Sequence, residues 1–169
     1  MFNFFNLFKK QPKPLKFKYV ELVQNEIEIY GFKGNKKSIN GELEIPSEID
    51  GKTVTGISDY AFYSCKGITK VTIPNTVKKI GEGAFNTCVS LSVIQGAENV
   101  SFIGENAFEN TKIYQNNDNY ENGVLYVGKY LLSTQDVEKI IVKNGTTFIK
   151  SYAFYENKKI TETWFSKSL

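Results

Sequence analysis

Ile80-Gly-Glu-Gly-Ala84-Phe85 is one of four versions of a single phrase, the others being Ile57-Ser-Asp-Tyr-Ala61-Phe62, Ile103-Gly-Glu-Asn-Ala107-Phe108 and Ile149-Lys-Ser-Tyr-Ala153-Phe154. Their phenylalanines stand 23, 23 and 46 residues apart, so the last interval is two periods. A fixed period in the low twenties marks a repeat whose single turn cannot bury its apolar side alone. Such turns stack, and the core runs through the stack. The spacing predicts a repeat solenoid of about 23 residues per turn with parallel strands on one face.

Working outward, each repeat carries a short strand pattern, apolar-x-x-apolar-x-apolar, at Ile68, Val71 and Ile73 and again at Val137, Ile140 and Val142. Leu91 and Ile94 keep two anchors ahead of Gly96, while the place after Phe108 is degraded to Tyr114, Asn117 and Asn119. Tyr126, Tyr130 and Leu131 fall where the Ile, Ala and Phe of a further copy belong, so residues 115–136 read as a variant turn. Within it, 123–126 and 129–132 are expected to pair as a hairpin around Val127-Gly128. Leu43 and Ile45 stand 28 residues before Val71 and Ile73, and the surplus is an Asp50-Gly51 turn between Ile49 and Val54, read as a small outer hairpin. Upstream, alternation over Phe17–Val23 and Glu26–Phe32 predicts two antiparallel strands that cap the first turn, because an uncovered end would expose both core and strand edge.

The run from Val71-Thr-Ile-Pro74 through Val77, Ile80-Gly-Glu-Gly-Ala84-Phe85 to Cys88 is similar to the repeat of BspA-type leucine-rich repeats, the Treponema pallidum class. That phrase has a strand ending in Ile-Pro, then Val-x-x-Ile-Gly-x-x-Ala-Phe and a Cys or Asn. The resemblance runs from about Tyr19 to the C-terminus and implies a leucine-rich repeat solenoid. Many members of the family are bacterial surface proteins that adhere to host proteins or other cells, so the resemblance implies a non-enzymatic scaffold for protein binding. The expected division is a leader at 1–16, an N-terminal β-hairpin cap at 17–40 and a leucine-rich repeat solenoid at 41–169.

A chain of 169 residues, 41% hydrophobic and 14% aromatic, suits one folded domain. All its basic residues are lysine, and the side chain best suited to bidentate phosphate or guanine contacts is missing, which argues against nucleic acid as a partner. Five lysines and no acid precede Tyr19. The opening Met1–Phe8 lacks a proper hydrophobic region and a small-residue cleavage site, so no secretory signal is read and the cytoplasm is the expected compartment, with the cell surface second. A second reading places Phe2, Phe4, Phe5 and Phe8 at a membrane surface beside Lys9 and Lys10.

Histidine is absent, and no phosphate loop or nucleophile elbow follows a strand, so no enzyme, cofactor or metal is expected. The pairs Asp50 with Asp59 and Glu82 with Glu105 read as solvent-facing turn positions rather than catalytic carboxylates. Cys65 and Cys88 share one place in consecutive repeats, where later copies have Thr111 and Asn157. They are expected as free thiols in a ladder of small side chains, since parallel side chains in register rarely reach disulfide geometry.

Residues between the strand anchors must face away from the core. By register the exposed rows are Glu44, Thr72, Gln95, Asp118, Ile141 and Trp164, and beside them Glu42, Lys70, Val93, Asn116, Lys139 and Glu162. Of these, Lys70, Thr72, Val93, Gln95, Lys139, Ile141, Glu162 and Trp164 are the candidate surface for an unidentified protein partner. Trp164 and Phe165 are also a candidate assembly edge for a homo-oligomer or structural protein.

Overall fold

The computed structural model describes residues 15–165, so the leader contacts assigned to Phe2, Phe4, Phe5, Phe8, Lys9 and Lys10 lie outside the described residues. Two strands open the fold, β1 (Phe17–Glu21) and β2 (Glu26–Phe32), paired antiparallel with Tyr19 opposite Ile29. The first repeat supplies β3 (Gly41–Glu44), then β4 (Glu48–Ile49) and β5 (Lys52–Ile57), which pair antiparallel across Asp50-Gly51. Both turn residues have positive φ, 52° and 76°, as the primed hairpin turns require. The next repeats hold β6 (Ile68–Ile73) with β7 (Lys79–Ile80), and β8 (Val93–Gly96) with β9 (Phe102–Ile103). The variant stretch forms β10 (Tyr120–Glu121), β11 (Val124–Val127) and β12 (Tyr130–Thr134). β13 (Lys139–Val142), β14 (Phe148–Ile149) and β15 (Glu162–Phe165) complete the described chain.

Parallel pairing joins equivalent residues of successive repeats. β3, β6 and β8 form one row, with Glu42 opposite Lys70 and Lys70 opposite Val93. β13 and β15 form another, with Ile141 opposite Trp164. A second sheet, β1-β2-β5-β7-β9, runs through the Ile of the first three phrases, with Ile57 opposite Ile80 and Ile80 opposite Ile103, while Ile149 of the fourth lies on β14 opposite Leu131 of β12. This sheet was not read from the sequence, because β7 and β9 are two residues each and carry no alternation to detect.

Beyond each Ile the chain turns a corner and the corners bond to one another. The N–H groups of Tyr60, Phe62 and Ser64 donate to the carbonyls of Glu82, Ala84 and Asn86, each at 2.8 Å. Those of Gly83, Phe85 and Thr87 donate in turn to Glu105, Ala107 and Glu109 at 2.8–2.9 Å. The corner needs a left-handed residue, and Tyr60, Gly83, Asn106 and Tyr152 all take φ between 54° and 63° there. Inside the corners the phenylalanine rings stack, Phe62 on Phe85 at 5.3 Å and Phe85 on Phe108 at 5.5 Å between centroids, with interplanar angles of 10° and 3°. All three rings are buried and supply much of the continuous apolar core.

The variant turn departs from its sequence reading in two respects. β11 and β12 do pair as a hairpin, but Val127 lies opposite Tyr130, so the turn is Gly128-Lys129 rather than Val127-Gly128. Gly128 takes the positive φ of 58° there, and a Cβ on it would sit 2.3 Å from the Ala97 carbonyl oxygen. Leu131, assigned to the Phe place, occupies the Ile place instead: it lies opposite Ile149, and its carbonyl accepts the Lys150 N–H at 2.9 Å just as Ile80 accepts Gly104 at 2.8 Å. The hairpin consumes residues that a regular turn would spend on its strand and first bend, so the register shifts. Val124, Leu131, Ile140, Val142 and Ala153 accordingly form a core cluster separate from the main one.

Candidate functional site

Alternation along β13 buries Ile140 and Val142 and exposes Lys139 and Ile141, so the outward residues of this row are fixed by the strand period alone. The structure brings Lys139, Ile141, Glu162 and Trp164 together on two paired strands. Lys139 Nζ lies 3.4 Å from a Glu162 carboxylate oxygen and 5.3 Å from the centre of the Trp164 ring. The Trp164 indole N–H donates to Glu162 Oε2 at 3.0 Å. That hydrogen bond, and after it the Lys139 ammonium, holds the Glu162 carboxyl below the ordinary carboxylate range. Ile141 and Trp164 are 51% and 56% exposed, so this charged triad borders an uncovered aliphatic and aromatic surface. The three-way contact among Lys139, Glu162 and Trp164 was not foreseen, although the i, i+2 spacing of Glu162 and Trp164 carried the signal.

Lys70, Thr72, Val93 and Gln95 form a second group on β6 and β8, with Lys70 opposite Val93 and Thr72 opposite Gln95. Lys70 bonds Glu42 at 3.2 Å on the neighbouring β3. The two groups do not form one continuous row. Asn116 and Asp118, expected between them on a strand, lie at a short 3₁₀ turn over Asn117–Asn119, where Asn116 Oδ1 accepts the Asp118 N–H at 3.2 Å. Asparagine side chains that bond their own backbone favour such turns over a strand ladder. Asn116 and Asn119 also donate their side-chain amides to the Ser92 carbonyl, at 3.0 and 2.8 Å, which fastens the turn against the preceding repeat.

Phe165 lies opposite Val142 but is 66% exposed, whereas Val142 is buried. β15 pairs on one side with β13, and no other described strand pairs with it. Trp164 and Phe165 thus present an apolar surface on a strand that, among the described residues, pairs on one side only.

Three of the four carboxylates read as turn positions bond within the scaffold. Asp50 accepts the Tyr19 hydroxyl at 2.8 Å, Asp59 Oδ1 accepts the Glu82 N–H at 2.9 Å, and Glu82 accepts the Tyr60 hydroxyl. Among the described residues no group of three or more His, Cys, Asp or Glu side chains is placed to hold a metal ion. Cys65 and Cys88 are free and buried. Cys88 Sγ donates to the Phe62 carbonyl at 3.1 Å, and burial pushes its pKa up to about 12. Thr111 and Asn157 are also buried at the equivalent places. No helix among the described residues is long and apolar enough to cross a membrane.

The fold is that of leucine-rich repeat proteins. A leucine-rich repeat protein of T. pallidum superposes with a TM-score of 0.61 at 25% identity, covering 87% of this chain and 67% of its own length. A leucine-rich repeat protein from Bacteroides capillosus gives 0.50 at 19% identity, covering 89% of this chain and 94% of its own. One from Eubacterium ventriosum gives 0.52 at 22% identity, and this chain spans 42% of its length. No curated protein matches the sequence. The model of the BspA type leucine-rich repeat region, in six copies, matches residues 55–169, and the chain belongs to that family.

Proposed function

We propose that the chain is a non-enzymatic protein-binding module, a solenoid of roughly 23-residue turns covered at its N-terminal end by the β1–β2 hairpin, that captures a protein partner on its strand face. The observation that carries this reading is the cluster on β13 and β15, where Ile141 and Trp164 are exposed side by side next to the Lys139–Glu162 pair. Interfaces centre on exposed aromatic and aliphatic anchors bordered by polar groups. Lys70, Thr72, Val93 and Gln95 extend the contact on the earlier repeats. The test is affinity capture with the full chain, Trp164→Ala and Lys139→Glu in parallel. A protein retained by the parent and lost with both variants, at unchanged melting temperature, supports the strand face; equal retention by all three removes it.

A second reading is self-assembly through β15. It is favoured by β15 pairing only with β13 among the described residues and by Phe165, whose side chain is exposed where its register partner Val142 is buried. This reading expects a concentration-dependent mass that Phe165→Lys abolishes; a constant monomer mass removes it. The compartment proposed is the cytoplasm. Membrane contact through residues 1–10 is proposed as a lesser role, tested by vesicle flotation with and without residues 1–14.

A further inference from the structure

The ladder of corners has a gap. Each of the first two corners donates three backbone N–H groups to the next, and the third corner should continue the series from Asn106, Phe108 and Asn110. None of these three N–H groups has an acceptor among the described residues, though the carbonyls of Glu105, Ala107 and Glu109 are all used by the preceding corner. On the far side, the carbonyls of Ser151, Ala153 and Tyr155 hold the accepting places of the last corner. Only that of Ala153 is taken, by the Thr134 N–H at 2.9 Å.

The cause is the variant turn. Leu131 stands at the Ile place and Thr134 at the Phe place, so Leu132 and Ser133 alone span what Gly81 to Ala84 span in a regular repeat. Two residues cannot build the projecting bend, and the corner is missing. A cavity of about 580 Å³ opens there. Phe108, Leu132 and Phe148 line its apolar part, and Glu105, Glu109 and Glu156 stand around it against a single lysine, Lys150.

An independent observation agrees. A Cβ on Gly81 would lie 2.5 Å from the Asp59 nitrogen, and one on Gly104 would lie 2.4 Å from the Glu82 nitrogen, so each regular corner leaves only glycine under the one before it. Lys150 occupies the same place in the last copy. Its side chain fits because no corner precedes it closely, and it reaches Tyr114 Oη at 3.4 Å and Glu109 at 3.9 Å.

We propose that this slot, separate from the strand face, binds one extended segment of a partner protein in place of the missing corner. Neighbouring rungs of a ladder lie roughly 4.8 Å apart, so omitting one leaves a gap about 10 Å across, the room one chain needs to pair on both sides. The segment lies over Leu132 and Ser133, accepts from the Asn106 N–H and donates to the Ser151 carbonyl, which is strand addition applied to a corner. Its side chains toward Phe108 and Phe148 are apolar. Its flanking side chains are lysine or arginine, because three carboxylates against one ammonium leave the rim acidic.

The experiment uses the full chain and two capped nine-residue peptides, one alternating lysine with valine and one alternating glutamate with valine, followed by fluorescence anisotropy and amide hydrogen exchange. The lysine peptide is expected to bind, to slow exchange at Asn106 and Asn110, and to lose at least about tenfold in affinity with Ser133→Trp and with Glu109→Lys. Glu109→Lys replaces a side chain at the surface whose carboxylate meets only Lys150, at 3.9 Å, so it tests the site even where Ser133→Trp disturbs folding. Trp164→Ala is expected to leave this binding unchanged, which separates it from the strand face. Absence of binding, equal binding of the glutamate peptide, indifference to Glu109→Lys, or protection along β3 or β15 instead of Asn106 each overturns the proposal.

Discussion

A Cβ on Gly104 would lie 2.4 Å from the backbone nitrogen of Glu82, closer than any real side chain comes to a neighbouring main chain. Successive corners therefore nest with no space for a methyl group between them. Gly104→Ala is expected to cost about 1–3 kcal/mol, the range for forced overpacking. Lys150→Ala, at the equivalent place beyond the missing corner, is expected to stay within about 1 kcal/mol. Urea unfolding of the two variants checks the contrast, and equal losses would contradict the nesting.

Phe85 is fully buried between Phe62 and Phe108. Phe85→Ala opens a cavity in the middle of the ring stack and is expected to destabilise by about 3–5 kcal/mol. Phe85→Leu refills most of the volume and should recover at least about half of that loss. Thermal unfolding compares the two.

The Cys88 thiol holds its proton to about pH 12 in the folded chain, against 9.0 for the free group, because burial penalises the thiolate. The unfolded chain therefore loses this proton first as pH rises. The contribution is complete below pH 9 and declines between 9 and about 12, with a slope of at most about 1.4 kcal/mol per pH unit. Cys88→Ala removes that term. The expected result is a smaller fall in urea midpoint between pH 8 and 10.5 for Cys88→Ala than for the parent, and slow reaction of native Cys88 with a thiol reagent at pH 8.

Glu162 accepts from Trp164 and faces Lys139, so its carboxyl titrates below the ordinary value of 4.5. Removing the Trp164 hydrogen bond with Trp164→Phe is expected to move that titration upward, toward 4.5, and Lys139→Ala is expected to move it upward as well. Carbon-detected NMR of the carboxyl reads both. Since the folded-state value is depressed, any stabilisation it brings is present above the unfolded value and fades as pH falls through the folded one. Trp164 is the single tryptophan, so its fluorescence follows the same change.

The four Ile-to-Phe phrases were enough to read the repeat, because a side chain that must stack on its own equivalent one turn later has to recur at the same interval. The outward places of Lys139, Ile141, Glu162 and Trp164 followed for the same reason, since a strand alternates faces wherever it is placed, whereas Lys70, Thr72 and Val93 are only half-exposed although paired as the register required. Asn116 and Asp118 failed the same rule, since side chains that can bond their own backbone took a turn instead. The β7 and β9 ladder escaped notice because two residues make no pattern until their neighbours hold them in line.

Residues alone determined the period, the recurrence of the core phenylalanines, and the outward places of Lys139, Ile141, Glu162 and Trp164, all of which depend on local spacing. Where Leu131 sits, which N–H groups of the third corner stay unbonded, and whether Lys139, Glu162 and Trp164 meet were settled only by folding. The first two depend on how many residues a hairpin takes up before the chain rejoins the stack, a count set by pairing across the sheet, and the third on side-chain rotamers that the strand register leaves open.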